Sequence, residues 1–462
     1  MLASLGSPDL RSAQLSFMLA WIAEWAFVVG IGVVAYQDAG AVGVGIIGTL
    51  RMAPAALIAP LVAPLADRGR RERFLAVTAL VRAAAFAGVA VLLPSDSVLP
   101  VYTLAVIASI VGTLYRPVHS ALLPSLCRRS ADISGANVVR GLIDSMATFV
   151  GPILAAVLLG AGQLPAIFAV AAGASLLAGM VAMRVRSTRA GTHPGPLRVL
   201  ADVREGLAVV LATRPVLLLF ILAAAQTATR GAVSVLVVMA AFDLLALGEV
   251  GVGTLTSAIG AGAIAGSLFA TLLSRSQRLA VWFGVGVALW GAPLVVIAGY
   301  PSFWTAVLML ACVGVGNALV DVGLFTLPAR LVSDAVLARV FTALESVIAM
   351  SVAAGSLMAP IAIGAFGRAG ALVAIGVIGP VLVLLCWSRL RALDAAVVEQ
   401  DRTIAQAVRD LALPDLSLPQ LDHLVRQLDA VTCPLPVQTD GAAEPGMGRP
   451  AVDVQRLSGR RE

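Results

Sequence analysis

Apolar runs of about twenty residues, each long enough at ~1.5 Å per residue to cross roughly 30 Å of hydrocarbon, recur with short polar breaks from Ser12 to Leu390. The pattern predicts spans over Leu15–Tyr36, Gly43–Leu65, Phe74–Leu93, Val101–Leu123, Ala136–Leu159 and Pro165–Met183. After a longer polar connection come Val216–Phe242, Gly251–Leu273, Leu279–Ala298, Phe303–Leu327, Val340–Ile363 and Ala369–Trp387. The predicted fold class is an all-α integral membrane protein with twelve transmembrane helices in two six-helix halves. The halves are residues 1–186 and 215–391, a connecting segment occupies 187–214, and 392–462 form a tail. Within the connection, Ser187–Pro196 is rich in turn residues, and Leu197–Ala212 repeats its apolar positions at helical spacing, as a helix on the membrane surface would. In the tail, Leu390–Leu411 reads as a soluble helix and Pro419–Val431 as a short amphipathic one, while Pro, Gly and charge predict disorder from Thr432 onward.

Composition removes the soluble alternative. Of the 462 residues 59% are hydrophobic and 13% charged, against roughly 25% charged in a soluble domain. The net charge of +6 lies in short loops beside apolar spans, which is an orientation signal rather than a nucleic-acid surface. Arg68, Arg70, Arg71, Arg73, Arg128, Arg129, Arg184, Arg186, Arg189, Arg275, Arg278, Arg330, Arg389 and Arg391 fall on one side of the predicted spans, and Arg368 stands alone on the other. Both termini are therefore expected in the cytoplasm of a bacterial cell, with the chain in its inner membrane. The first apolar run is too long for a signal-peptide core and reads as a permanent span. Cys127, Cys312, Cys386 and Cys433 stand far apart, so neither a disulfide framework nor a metal site is indicated.

The halves read as a duplication. Gly43-Val44-Gly45 opens the second span and Gly251-Val252-Gly253 the eighth; Asp67 to Arg70 follow the first at the offset at which Arg275 to Arg278 follow the other. Leu123-Pro124 and Leu327-Pro328 end the fourth and tenth spans, each followed about twenty residues later by Asp144-Ser145 or Glu345-Ser346. A six-plus-six parallel repeat holds substrate near mid-membrane between two rocking halves.

A charge near mid-bilayer costs several kcal/mol unless it is paired or lines a wet cavity, so ionisable residues inside spans are the candidates for function. They are Glu24, Arg51, Arg82, Arg116, Arg140, Asp144, Arg230, Asp321 and Glu345, with Gln226 and Asn317 as polar neighbours. Proton coupling needs a carboxyl that changes protonation as access alternates, and Glu24, Asp144 and Glu345 are the candidates; against each stands a permanent partnership with an interior arginine. Arg51, Arg116, Gln226, Arg230, Asn317 and Asp321 are the candidates to line a substrate cavity. Arg51 and Arg230 are the ones nearest mid-membrane that could meet an anionic group. His119 reads either as a proton relay or as a structural histidine. The run Ser257–Gly266 is small enough to let helices approach closely. Gly151-Pro152 reads as a bend or seal in the fifth span. In the loop after the second span, Asp67 beside Arg68, Arg70 and Arg71 reads either as simple cytoplasmic anchoring or as a conformational latch made in one state and broken in another.

Ala63-Pro64-Leu65-Ala66-Asp67-Arg68-Gly69-Arg70-Arg71 resembles the loop motif of the major facilitator superfamily, with Ala63 at the usual first glycine and a loop one residue tighter. Ala147-Thr148-Phe149-Val150-Gly151-Pro152 is similar to its antiporter motif, with Ala147 at an expected glycine. Arg51–Leu57, Tyr115–Pro124, Arg230-Gly231-Ala232 and Val313–Ala318 look like an actinobacterial branch related to enterobactin-type exporters, a likeness that covers Ser12 to Asp394. The resemblance implies alternating access, usually with proton-driven export, and does not establish a substrate; the expected substrate is a small amphipathic molecule, siderophore-like or a drug. The expected partners are that substrate, protons and the lipid bilayer. No cofactor is expected, and no ATP, for there is no lysine to complete a phosphate loop. Leu413–Val431 resembles the lead-in to a cyclic-nucleotide-binding module, but no binding cassette follows and cyclic nucleotide is not expected. The rivals are a facilitator or importer of the same fold, and a non-transporting sensor or scaffold acting through its tail.

Overall fold

The computed structural model describes residues 7–68, 70–95, 98–127, 130–186, 199–273, 276–332 and 334–410. All regular structure among them is helical: α1 Pro8–Arg68, α2 Arg71–Leu92, α3 Val98–Thr113, α4 Tyr115–Leu126, α5 Ser130–Gly160, α6 Leu164–Ala182, α7 Val199–Ala212, α8 Arg214–Met239, α9 Gly248–Leu273, α10 Leu279–Gly299, α11 Phe303–Leu331, α12 Asp334–Gly376 and α13 Ile378–Asp410. A single π-helical turn, Ala240–Leu244, closes α8. Ten stretches of the described residues are long and apolar enough to cross a membrane.

The expected spans map onto these helices with informative differences. The first two lie on one 61-residue helix that turns a corner at Ala39 and Gly40; Gly40 has φ +60°, a conformation open to glycine because it lacks a Cβ. A matching corner stands in α12 at Gly367, φ +72°. The fourth span is divided between α3 and α4 at Leu114. Pro117, three residues on, has no N–H to offer the carbonyl of Thr113, which leaves the ladder open there. The connecting segment supplies α7, whose Gly206 lies against the backbone of Arg339 in α12, while Glu205 pairs with Arg339 at 2.9 Å. The turn-rich Ser187–Pro196, the tail beyond Asp410 and Cys433 lie outside the described residues. What is described of the tail helix is docked: Asp394, 6% exposed, accepts the backbone N–H groups of Ala280 (2.7 Å) and Val281 (3.0 Å) and so caps the start of α10.

Helices α1 to α6 pack on one another, as do α8 to α13, and the two groups meet chiefly where α1 crosses α12 and α8 and where α5 crosses α9. Small residues set those crossings. A Cβ on Gly45 would lie 2.7 Å from the carbonyl of Ser356 and 2.8 Å from Pro360 Cγ in α12. A Cβ on Gly253 would lie 2.7 Å from the carbonyl of Pro152 and 2.8 Å from Ala156 in α5. The two glycines that match in the sequence repeat thus meet proline-containing stretches of the opposite group in the same manner. Lipid offers apolar side chains no advantage in leaving it, so close backbone approach and dispersion must hold such helices together. Along α9, Gly260 abuts the backbone of Thr148 and Phe149 in α5 while Gly262 and Gly266 abut Ala311 and Val315 in α11. Gly262→Val is expected to push α9 off α11 and lower stability by about 3 kcal/mol, read as a fall in the thermal unfolding midpoint of the detergent-purified protein; an unchanged midpoint would contradict this packing.

Candidate functional site

Three helices converge on Glu24 in the first arm of α1. Its Oε1 receives Arg51 Nη2 from the second arm at 3.0 Å, and its Oε2 receives Arg82 Nη2 from α2 at 2.6 Å. Arg51 Nε also donates to Ser109 Oγ of α3 at 2.6 Å. The guanidinium carbons lie 4.9 Å from the ring centre of Phe27 and 5.3 Å from that of Phe86, so each cation is backed by an aromatic face. Arg82 is 0% exposed and Arg51 5%. The sequence listed these three charges separately, and the structure makes them one cluster inside the first group of helices. Ser109 carried no signal in the sequence beyond its place in an apolar run.

A second cluster lies between the two groups. Arg116 of α4 faces Asp144 of α5 at 3.7 Å, and the electrostatic reach of Arg116 extends to Asp321 of α11 and Glu345 of α12. Asp321 in turn interacts with Arg116, Arg140 and Arg230 and is opposed by Asp144. Its Oδ2 accepts from Asn317 Nδ2 one turn earlier at 3.1 Å. Arg230 and Glu345 are exposed although each stands well inside a long apolar helix, while Gln226, one turn before Arg230, is buried. Most of the expected cavity residues are therefore brought together here. Arg51 belongs to the first cluster and Gln226 to the packing of α8.

Around the corner of α1 the groups are in contact. Tyr36 stacks on Phe242 of the π-turn at 4.7 Å, and Gln37 donates to Glu249 at 2.5 Å. Beside them Arg368 pairs with Asp243 at 3.1 Å. Further along the same interface Thr49 donates to the carbonyl of Ala353 at 3.1 Å, and Ser145 bonds Ser267 at 2.9 Å.

Of the expected latch, the side chains of Asp67 and Arg68 lie outside what is described. Arg70 pairs with Glu72 at 2.7 Å, and Arg71 donates to the carbonyl of Ala121 in α4 at 2.7 Å. Glu72, 3% exposed, was missed in the sequence, although an acid in the first turn of a helix beside arginines is a recognisable pattern. Gly151 lies against α1, where a Cβ would be 2.6 Å from that of Trp25 and 2.9 Å from the carbonyl of Ile22, and Pro152 sits inside α5 without ending it. His119 is fully buried, stacked 4.4 Å from Phe17. Among the described residues no group of acids, histidines and cysteines is placed to hold a metal.

The family model of the Major Facilitator Superfamily matches residues 14–347. The chain belongs to that superfamily. It is a multi-pass membrane transporter, not an enzyme. No curated protein matches it. Among solved structures, a POT family transporter in complex with a thioalcohol-conjugated peptide superposes with a TM-score of 0.68 at 13% identity, over 83% of this chain and 96% of that one. A POT family transporter in complex with 5-aminolevulinic acid gives the same values. A bacterial homologue of the human drug peptide transporters gives 0.64 at 13% identity, over 84% of this chain and 99% of that one. At such identities the likeness is one of superfamily fold.

Proposed function

We propose that this major facilitator carries a small amphipathic molecule out of the cell in exchange for protons, by alternating access. In this reading the chain crosses the bacterial inner membrane twelve times, α1 and the stretch Arg339–Glu399 each contributing two crossings, with both termini in the cytoplasm. The arginine-rich ends of the helices favour that orientation. It makes the contacts around Tyr36, Gln37 and Glu249 the outer closure.

The observation that supports the reading is the cluster Arg116, Asp144, Asp321, Glu345 and Arg230, in which opposite charges of both helical groups interact with one another. Charges split across a moving interface change partners when the groups rock, and a carboxyl that loses its arginine gains a reason to hold a proton. Asp144, Asp321 and Glu345 are assigned to proton exchange on that ground, with Arg116, Arg230 and Asn317 facing the solute. Glu24 is held from two sides by buried cations and is assigned to the inner structure of the first group. Asp67, Arg68, Arg70 and Arg71 are assigned to a cytoplasmic latch. Export, rather than uptake, follows the likeness of Tyr115–Pro124 and Arg230-Gly231-Ala232 to enterobactin-type exporters.

The test is flux in proteoliposomes of defined orientation against a panel of siderophore-like and drug-like amphiphiles. A proton gradient directed opposite to solute movement is expected to drive accumulation at least tenfold above the level in its absence. Movement indifferent to the gradient would leave a facilitator, and accumulation along the direction of proton entry would leave an importer. Peptides belong in the panel because the structural neighbours include peptide transporters.

A further inference from the structure

We propose that Arg51 and Arg82 form a binding site for a small anion beside Glu24, inside the first helical group and separate from the cluster between the groups. The inference begins with a charge imbalance. Two guanidinium groups, 5% and 0% exposed, share one carboxylate. Every other acid of α1 to α6 whose side chain is described is engaged elsewhere: Asp9 with the backbone N–H of Arg186, Asp38 with Tyr102, Glu72 with Arg70 and Asp144 with Arg116. One buried positive charge is therefore left without an anion among the described residues, at a depth where an uncompensated ion costs several kcal/mol.

The hydrogen-bond inventory points the same way. A guanidinium carries five N–H donors in a fixed fork. Arg82 places Nη2 on Glu24 and sets Nη1 at 3.5 Å from the carbonyl of Ala20, but its Nε is buried with no partner. Gly112 of α3 faces that nitrogen: a Cβ there would lie 3.4 Å from Arg82 Nε and 3.5 Å from both Arg82 Cζ and Glu24 Oε2. The glycine thus keeps a methyl group off this unpartnered donor. Glu24, with 18% of its side chain exposed, is the most open member of the cluster and the side from which an anion enters. The carboxylate and the anion compete for the same guanidinium hydrogens, so neutralising Glu24 strengthens the site.

A free halide and the carboxylate of a transported solute share this chemistry. The test is the thermal midpoint of the detergent-purified full chain, titrated with sodium chloride, sodium bromide or sodium acetate against sodium gluconate at equal ionic strength. A saturable rise of about 2 °C at tenfold excess over the dissociation constant is expected. Preference for the halides assigns a free inorganic ion, and preference for acetate a solute carboxylate. Glu24→Gln is expected to tighten the apparent affinity at least fivefold. Gly112→Ala, which adds a methyl at ordinary contact distance and so leaves the fold intact, is expected to weaken it by a similar factor. Absence of an anion-specific, saturable shift in the unaltered protein overturns the site. So does a shift that Gly112→Ala leaves unchanged, because the anion then binds elsewhere. The readout is binding, so either failure leaves the transport reading, which is tested by flux, standing.

Discussion

Asp321→Asn is expected to lower proton-gradient-driven transport at least tenfold while leaving solute exchange without a gradient largely intact. The substitution preserves the shape of the side chain and a partner for Asn317, whose amide now donates to Asp321 at 3.1 Å. What it removes is the charge that answers Arg116, Arg140 and Arg230 and that Asp144 opposes. In the proposed mechanism a carboxyl so placed would pass between a paired, ionised state and an unpaired, protonated one as the groups separate. An amide can do neither. Coupling free energies of ~1–3 kcal/mol, or about 5–150-fold, set the scale of the loss. The measurement is solute accumulation and counterflow in the same proteoliposomes. Full gradient-driven accumulation in the variant would remove Asp321 from the coupling mechanism, and parallel loss of counterflow would make it a solute-binding residue instead.

Glu24→Gln is expected to be the most damaging conservative substitution in the first helical group. It leaves Arg51 and Arg82 facing one another with no carboxylate, in a site where Arg82 has no exposed surface. Breaking a buried pair by removing one partner costs about 3–5 kcal/mol, because the remaining charge keeps its desolvation penalty and loses its attraction. The thermal midpoint in gluconate should fall accordingly. Adding Arg82→Met to the same chain should recover at least half of that fall, since the double variant returns to one uncompensated cation. A midpoint for Glu24→Gln within about 1 °C of the unaltered protein would show that the three charges are not coupled. The two predictions separate the clusters: the Asp321 variant should lose coupling with its stability kept, and the Glu24 variant should lose stability first.

Most of the architecture could be read from the chain because the bilayer imposes a simple rule. A backbone in hydrocarbon must satisfy its own hydrogen bonds, so an apolar run of twenty residues has little choice but a helix. The corner at Gly40, where two expected spans share one helix, and the break at Leu114 before Pro117 were smaller matters of local geometry, and glycine and proline marked both. The repeat was legible too: Gly45 and Gly253 match in sequence, and each admits a proline-containing stretch of the opposite group.

Pairing was not legible. An arginine or an acid in a span announces only that it must find a partner or water, and several acids were available to each arginine. Packing of α1, α2 and α3 decided that Glu24, Arg51 and Arg82 form one unit. The juxtaposition of the two helical groups decided that Arg116 and Asp144 act electrostatically on Asp321 and Glu345. Glu72, Asp394 and the contacts around Tyr36 carried little signal in the chain, since hydrogen bonds between residues more than a hundred positions apart, such as Asp394 with Ala280, leave no local pattern. The sequence by itself determined that this protein is a helical membrane protein with charges inside its spans, because transfer of backbone and side chains into lipid is a property of each segment alone. Only the tertiary structure decided which charges neutralise one another and which face across the interface, because electrostatic energy in a low dielectric depends on distances that no single segment contains.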